Sequence, residues 1–285
     1  MNENIPEGLL ESIILRALEE DRADEDVTTQ AIFSATDTAS GYLLAKQDGV
    51  LSGVDIAGKV FKSVDPTIKF EQLMNNGTLI YTGDKLATVT GPAAAILTAE
   101  RTALNFTQRM SGIATLTNIY LEKISDTSTK ILDTRKTVPG LRYLDKLAVL
   151  HGGGDNHRFS LQDMFLIKDN HIEAAGSITE AINRCIKYRD EKYPDHKIEV
   201  EADTYEQVMA AKELPVDVIM LDNMELAEMR KSIRYIHGHC KTEASGGVNL
   251  DTVRSIALTG VDYISVGALT HSPSALDISL EIVLT

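Results

Sequence analysis

The 285-residue chain has no tryptophan, only two cysteines and few aromatic side chains of any kind, 5% of its residues. Cys185 and Cys240 stand far apart and form no C-x-x-C pair. That excludes a disulfide-stapled secreted scaffold and a paired-thiol redox motif, and leaves reduced thiols. Basic residues are in deficit, 28 against 42 acidic, for a formal net charge of -14. Broad binding to nucleic acid or to an anionic membrane is excluded by that balance, since both reward a surplus of Lys and Arg. Long hydrophobic runs are also missing. The stretch MNENIPEGLLESIILRALEEDRADED has no basic n-region and is interrupted by acids, so it reads as neither a signal peptide nor a membrane span. The expectation is a soluble, cytoplasmic protein without low-complexity tracts or internal repeats. What is present, 43% hydrophobic residues over this length, suits one large α/β domain or two unequal ones.

Leu9, Leu10, Ile13, Ile14, Ala17 and Leu18 recur at helical spacing behind Pro6 and predict an amphipathic first helix. From residue 39 to 89 short apolar runs alternate with turn signals such as Asn76-Gly77, which predicts a small β-rich region. The stretch PAAAILTAERTALNFTQRMSGIATLTNIYLEKI, beginning at Pro92, predicts a long helix or two, with a domain junction near Ser111-Gly112. After Lys130 short β-like runs alternate with helical patterns: KILDTRK, FLIKDN, KIEVEAD, VIMLDN, KTEASGG and YISVGA. This rhythm predicts a parallel α/β sheet or barrel. Each run ends in a polar residue or glycine. In a barrel the active site lies at the carboxyl ends of the strands, so Lys136, Lys168, Glu201, Asp222, Ser245 and Gly267 would share one face. From Glu201 onward the last four follow at intervals of 21, 23 and 22 residues, about one βα unit each. Six runs fall short of an eight-stranded closure.

Between Lys130 and His171 seven basic residues outnumber five aspartates, a local basic island in an acidic chain. Arg135, Lys136, His157, Arg158 and Lys168 are too many cations for Glu201 and Asp222 to satisfy. A small substrate with more than one carboxylate or phosphate is their natural counter-ion. The segments ASGGV and SVGAL place glycines after the last two β runs, where backbone N–H groups can approach phosphate oxygens. Glu201 and Asp222 could bind a divalent cation or ribose hydroxyls, stabilise developing positive charge, or simply pair with Lys168 or Lys136. A zinc site from His151, His157 and His171 has neither a nearby cysteine nor a usual spacing. Two other classes remain open at this level: a Schiff-base lyase with Lys168 as nucleophile, and a phosphosugar-binding module without turnover.

The ordered set ERTALNFTQRMSGIATLT, DTRKTVPGLR, GGGDNHRFSLQDMFLIKDNHI, IEVEAD, LDNM, EASGGV and GVDYISVGALTHS resembles the quinolinate phosphoribosyltransferase family, the carboxylating nicotinate-nucleotide pyrophosphorylases. The resemblance implies an α/β fold: an N-terminal open α/β sandwich over residues 1–111, joined by the tail 271–285, and an incomplete, seven-stranded α/β barrel over residues 112–270. It implies transfer of phosphoribose to quinolinate with loss of CO2, in NAD synthesis. Quinolinate would be held by Arg101, Arg135, Lys136, His157, Arg158 and Lys168, with Arg101 reaching the neighbouring site of a homodimer; higher oligomers stay open. Phosphoribosyl diphosphate would be held by Lys136, Glu201, Asp222, Ser245, Gly246, Gly247 and Gly267. Lys136, Glu201 and Asp222 would carry the catalysis. Glu201 and Asp222 would hold Mg2+, directly or through water, and no organic cofactor would be needed. Ser160 departs from the glycine many relatives have, which bears on local loop shape. A related molybdenum-operon family shares parts of the pattern without KDNH, which runs here from Lys168 to His171.

Overall fold

The structure, a computed structural model, describes residues 7–284; Pro6, the expected helix start, lies outside them. The first part of the chain forms α1 (Glu7–Glu20), a 3-10 turn (Ala23–Glu25), α2 (Val27–Ile32), β1 (Thr38–Ala45), β2 (Gly49–Val50), α3 (Val54–Val64), β3 (Lys69–Gln72), β4 (Leu79–Ile80), β5 (Lys85–Pro92) and α4 (Ala93–Lys123). The alternating part forms β6 (Lys130–Leu132), α5 (Arg142–His151), β7 (Phe165–Ile167), α6 (Asp169–Ala175), α7 (Ile178–Lys192), β8 (Ile198–Ala202), α8 (Tyr205–Lys212) and β9 (Val218–Asp222). It ends with α9 (Leu226–Ile236), β10 (Lys241–Ser245), α10 (Val253–Ala257), β11 (Tyr263–Ser265), α11 (Ala268–His271) and β12 (Ile278–Leu284). Two compact units result: residues up to 118 with 137–153 and 269 onward, and residues 119–136 with 154–268.

In unit 1 an antiparallel sheet runs in the order β12-β1-β5-β3. The C-terminal strand pairs along β1 from Ala45↔Ile278 to Ala39↔Leu284. Leu43, Leu51, Val54, Ile80, Leu86 and Leu276 form its core. α1 buries Leu10, Ile14 and Leu18, the stripe its helical period required. The stretch after Pro92 is a single helix of 31 residues, and Ser111-Gly112 falls inside it. A Cβ on Gly112 would stand 2.0 Å from the Ser274 carbonyl oxygen, so the glycine serves close passage of the C-terminal segment. Unit 1 also takes in residues 137–153, which hold α5.

In unit 2 six parallel strands lie in the order β6-β11-β10-β9-β8-β7. Parallel neighbours need a crossover, and helices supply it between successive strands. Ser177 and Thr204 cap α7 and α8, accepting from Glu180 N at 3.1 Å and Gln207 N at 3.3 Å. Ile198, Val200 and Ala202 are fully buried, as are Ile219 and Leu221, as expected for strands covered on both faces. The expected seventh strand is reduced to one parallel bridge, Leu132↔Asp155, beside β6. No pairing joins that end to β7 among the described residues, so the barrel stays open. None of the helices among the described residues is long and apolar enough to cross a membrane.

Candidate active site

Side chains of a strand alternate between faces, so one residue in two along each parallel strand of unit 2 points to the same side. Lys168, Glu201, Asp222 and Ser245 come to the carboxyl ends, and Leu166, Met220 and Glu243 sit two residues earlier on the same strands. Together they bound a cavity of about 880 Å³, a size suited to a small-molecule site.

The basic wall is built by a buried aspartate. Asp133, just past β6 and fully buried, accepts from Asn156 Nδ2 at 2.7 Å and from the His157 backbone N–H at 2.9 Å. This fixes the loop that carries Arg158. Arg158 Nη1 donates to the Met164 carbonyl at 3.1 Å, while Arg158 Nε and Arg135 Nε are buried with no hydrogen-bond partner. Burial and the adjacent Arg135 lower the Arg158 pKa from its usual value, although a guanidinium remains charged at neutral pH. Two crowded guanidiniums with unused donors form a site for a planar anion.

Across the cavity Lys168 and Glu201 form an ion pair. Asp222 is met by an amide: Asn223 Nδ2 donates to it at 2.7 Å, and the Asn223 backbone N–H donates to the Ser245 carbonyl at 2.9 Å. Asn223 sits in the left-handed region at φ 51° and Gly246 at φ 88°. A Cβ on Gly246 would stand 2.2 Å from Asn223 Oδ1, so both backbone and neighbour demand glycine there. Burial, with Asp222 and Asp169 nearby, raises the Asp203 carboxyl above the ordinary range. This is an oxygen-rich corner short of positive charge.

The floor holds a second acid pair. His157 Nδ1 accepts the Arg158 backbone N–H at 2.8 Å, so the ring proton resides on Nε2, which lies 3.0 Å from Glu199 Oε2 and 3.6 Å from Glu243 Oε2. Both glutamates are nearly inaccessible. Burial pushes Glu199 up to about 7 and Glu243, next to the Glu199 carboxylate, to about 8.

Profiles of the quinolinate phosphoribosyl transferase N-terminal and C-terminal domains match residues 26–111 and 113–281. The chain belongs to the quinolinate phosphoribosyl transferase family. It is 44% identical to quinolinate phosphoribosyltransferase [decarboxylating] 1b of Nicotiana tabacum, over 96% of this chain and 82% of that one. It is 43% identical to a probable nicotinate-nucleotide pyrophosphorylase [carboxylating] of Bacillus subtilis, covering 93% and 91% of the two chains. The crystal structure of NadC from Streptococcus pyogenes superposes with a TM-score of 0.94 at 37% identity, over 99% of each chain.

Within this family member, Arg135, Lys136, His157, Arg158, Lys168, Glu201, Asp222, Ser245, Gly246 and Gly247 all line the one cavity. Gly267 is not among the lining residues, and Arg101 lies in unit 1, exposed on α4 near Asp21, Arg22 and Asp26. His157 is held on both ring nitrogens by protein groups, Nδ1 by the Arg158 backbone N–H and Nε2 by the Glu199 carboxylate. The basic island divides too. Lys130 pairs with Asp155 at 3.1 Å, Arg142 donates to Thr137 at 3.1 Å and Lys146 is buried in unit 1. His151 contacts Ser52 at 2.7 Å, and His171 Nδ1 accepts the Lys168 backbone N–H at 2.9 Å, which removes the three-histidine zinc reading.

Sequence reasoning missed Asp133, Glu199, Asp203, Asn223 and Glu243. The signal for the two glutamates was period-two alternation, Glu199-Val200-Glu201 and Glu243-Ala244-Ser245, which puts a second polar residue beneath each strand end.

Proposed function

We propose that this chain is a pentosyltransferase that joins quinolinate to 5-phosphoribosyl 1-diphosphate and releases nicotinate mononucleotide, diphosphate and CO2, a step of NAD synthesis. The observation that carries the reading is one cavity lined by Arg135 and Arg158, whose Nε groups are buried without hydrogen-bond partners, together with Glu201, Asp222, Ser245, Gly246 and Gly247. The names of the relatives and the family profiles support the same reaction.

Arg135, Arg158, Lys136 and Lys168 take the two carboxylates of quinolinate, the guanidinium forks fixing ring orientation. His157 orders Arg158 from behind. Arg101 completes the pocket from the partner subunit of a homodimer whose N-terminal domain closes the barrel mouth. Closure excludes water and strengthens every charge contact inside. Glu201 and Asp222 hold the ribose and favour positive charge at its anomeric carbon, Lys136 screens the leaving diphosphate, and Ser245, Gly246, Gly247 and Gly267 form the phosphate loops. Mg2+ fits the acid corner, where Asp169, Asp203 and Asp222 line the cavity together. Held by Glu201 and Asp222, directly or through water, it would supply positive charge to the diphosphate.

Alignment of the ring nitrogen with the anomeric carbon supplies much of the acceleration. Once the nitrogen is ribosylated it is positively charged and stabilises the electron pair left at C2 when CO2 departs. No Schiff base or organic cofactor is needed, and Lys168 is engaged by Glu201, a partner for a cation rather than for a nucleophilic amine. The protein acts in the cytoplasm.

The test is incubation with Mg2+, phosphoribosyl diphosphate and either quinolinate or nicotinate, with products read by mass spectrometry. Nicotinate mononucleotide from quinolinate alone is expected; turnover of nicotinate, or of neither acid, overturns the reading. Mixed dimers of Arg101→Ala and Lys136→Ala subunits should regain up to one working site, and no recovery would sink the shared pocket.

A further inference from the structure

Glu243 lies in the middle of β10, two residues before the strand end, and is 2% exposed, yet it lines the cavity. One of its oxygens, Oε1, is buried without a hydrogen-bond partner. A buried polar atom left unpaired is costly, and this one belongs to a residue that lines the cavity.

The groups facing Glu243 fix which form it takes. From β8 comes Glu199, which accepts from His157 Nε2 at 3.0 Å and brings a carboxylate oxygen within 4.8 Å of one of Glu243. From the loop after Asp155 comes His157, 3.6 Å from Glu243 Oε2. Its Nδ1 already accepts the Arg158 backbone N–H, so the ring is held in the neutral Nε2–H form. From β11 comes Ser265, which also lines the cavity. Farther off, Arg158, Lys168 and Glu201 act on Glu199 through their charges. No lysine or arginine among the described residues is ion-paired with Glu243. Two carboxylates buried this close together repel each other, so one of the pair holds a proton. Glu199 already accepts from His157, so the proton sits on Glu243. The upward push on Glu243, to about 8, agrees with that assignment.

We propose that Glu243 is the acid that delivers a proton to C2 of the pyridine ring as CO2 leaves, an assignment that rests on the decarboxylating transferase reading above. The bond from C2 to its carboxylate carbon breaks, CO2 departs, and the electron pair stays on C2 beside the positively charged ring nitrogen. The Glu243 O–H bond breaks and its proton forms the new C2–H bond, leaving Glu243 as a carboxylate. Solvent water returns a proton to it once the product is gone. One proton is consumed per CO2 and no oxidant or reductant takes part. Glu199 and His157 are positioning residues, holding the acid in place.

The experiment is a rapid-quench single turnover of the full protein with Mg2+, phosphoribosyl diphosphate and quinolinate, following diphosphate, the N-ribosylated dicarboxylate and nicotinate mononucleotide separately. In Glu243→Gln, a neutral isostere that cannot act as an acid, diphosphate should appear at close to the wild-type rate. Mononucleotide should then form about 10²–10⁴-fold more slowly, the span typical of a positioned acid. The ribosylated dicarboxylate should accumulate, and Glu243→Asp should restore part of the second step. Equal slowing of both steps, or of neither, overturns the proposal. Should Glu243→Gln fail to fold, the wild type decides: above pH about 8, where Glu243 loses its proton, the CO2 step should slow about tenfold per pH unit while diphosphate release holds steady. Two parallel profiles overturn the proposal. A wild type that makes no mononucleotide from quinolinate overturns the transferase reading itself, a separate outcome.

Discussion

Each unit buries acid, and the two do it in opposite ways. In unit 1 Asp145 is fully buried and met on both oxygens by Arg109, from Nε at 2.9 Å and Nη2 at 2.9 Å, with the Val138 N–H adding a third donor at 3.2 Å. Arg109 also donates to the Thr270 carbonyl at 3.2 Å. In unit 2 Glu199 and Glu243 are as deeply buried, but each keeps an oxygen without a partner, and above them Arg135 and Arg158 keep Nε groups without partners. The first arrangement is closed on itself and holds residues 137–153 to α4. The second leaves atoms of both charge types without hydrogen-bond partners, and three of its four residues, Arg135, Arg158 and Glu243, line one cavity. Polar satisfaction, more than burial, separates the structural cluster from the chemical one.

The contrast can be broken from either side. The largest effect is expected in the open cluster: Arg158→Ala or Arg135→Ala should lower kcat/KM for quinolinate by roughly 10³-fold, about 4 kcal/mol for a charge pair lost from a desolvated site. Lysine at either position should recover only part, since the fork is lost. The melting temperature of either Ala variant should not fall, because two like charges are being separated. In the closed cluster Arg109→Ala should do the reverse, costing about 3 kcal/mol of stability by stranding the Asp145 carboxylate, read as a lower denaturation midpoint.

A third expectation concerns pH. The folded state raises Glu243 from 4.5 to about 8 and Glu199 to about 7. A raised acid keeps its proton in the folded state where the unfolded chain has already lost it. The folded state therefore binds more protons between about pH 4.5 and 8, and stability falls as pH rises through that window. Glu243→Gln should flatten the fall in denaturant titrations at pH 5 and 8; an unchanged slope would mean that the floor does not hold its proton. The smallest effect is expected at Gly246→Ala. The left-handed backbone and the contact with Asn223 should cost about 1–2 kcal/mol and raise KM for phosphoribosyl diphosphate several-fold, without moving KM for quinolinate.

Most of the cavity rim was legible because parallel strands end in loops, and a polar residue closing an apolar run marks the end. Lys168, Glu201, Asp222 and Ser245 all declared themselves that way. Glu199 and Glu243 did not, because a glutamate inside a strand looks like solvent-facing alternation until the helices of an α/β fold are seen to cover the outer side. The DTRKTVPGLRYLDKLAVLHGGG stretch misled in another way. Its middle is α5, whose Asp145 and Lys146 are buried in unit 1, and Gly152 and Gly153 serve the helix end. A Cβ on Gly152 would stand 2.4 Å from the Ala114 carbonyl, and Gly153 has φ 90°, so packing and a turn account for them. Histidine 157 could be read only as a cation from sequence, since which groups face its two nitrogens is decided by the fold.

The most direct measurement uses quinolinate labelled with 13C in the 2-carboxyl group, incubated with phosphoribosyl diphosphate and Mg2+. The account predicts one labelled CO2 and one diphosphate per nicotinate mononucleotide, with no label in the nucleotide. Label retained in a nucleotide product, or diphosphate released without a nucleotide, would contradict it.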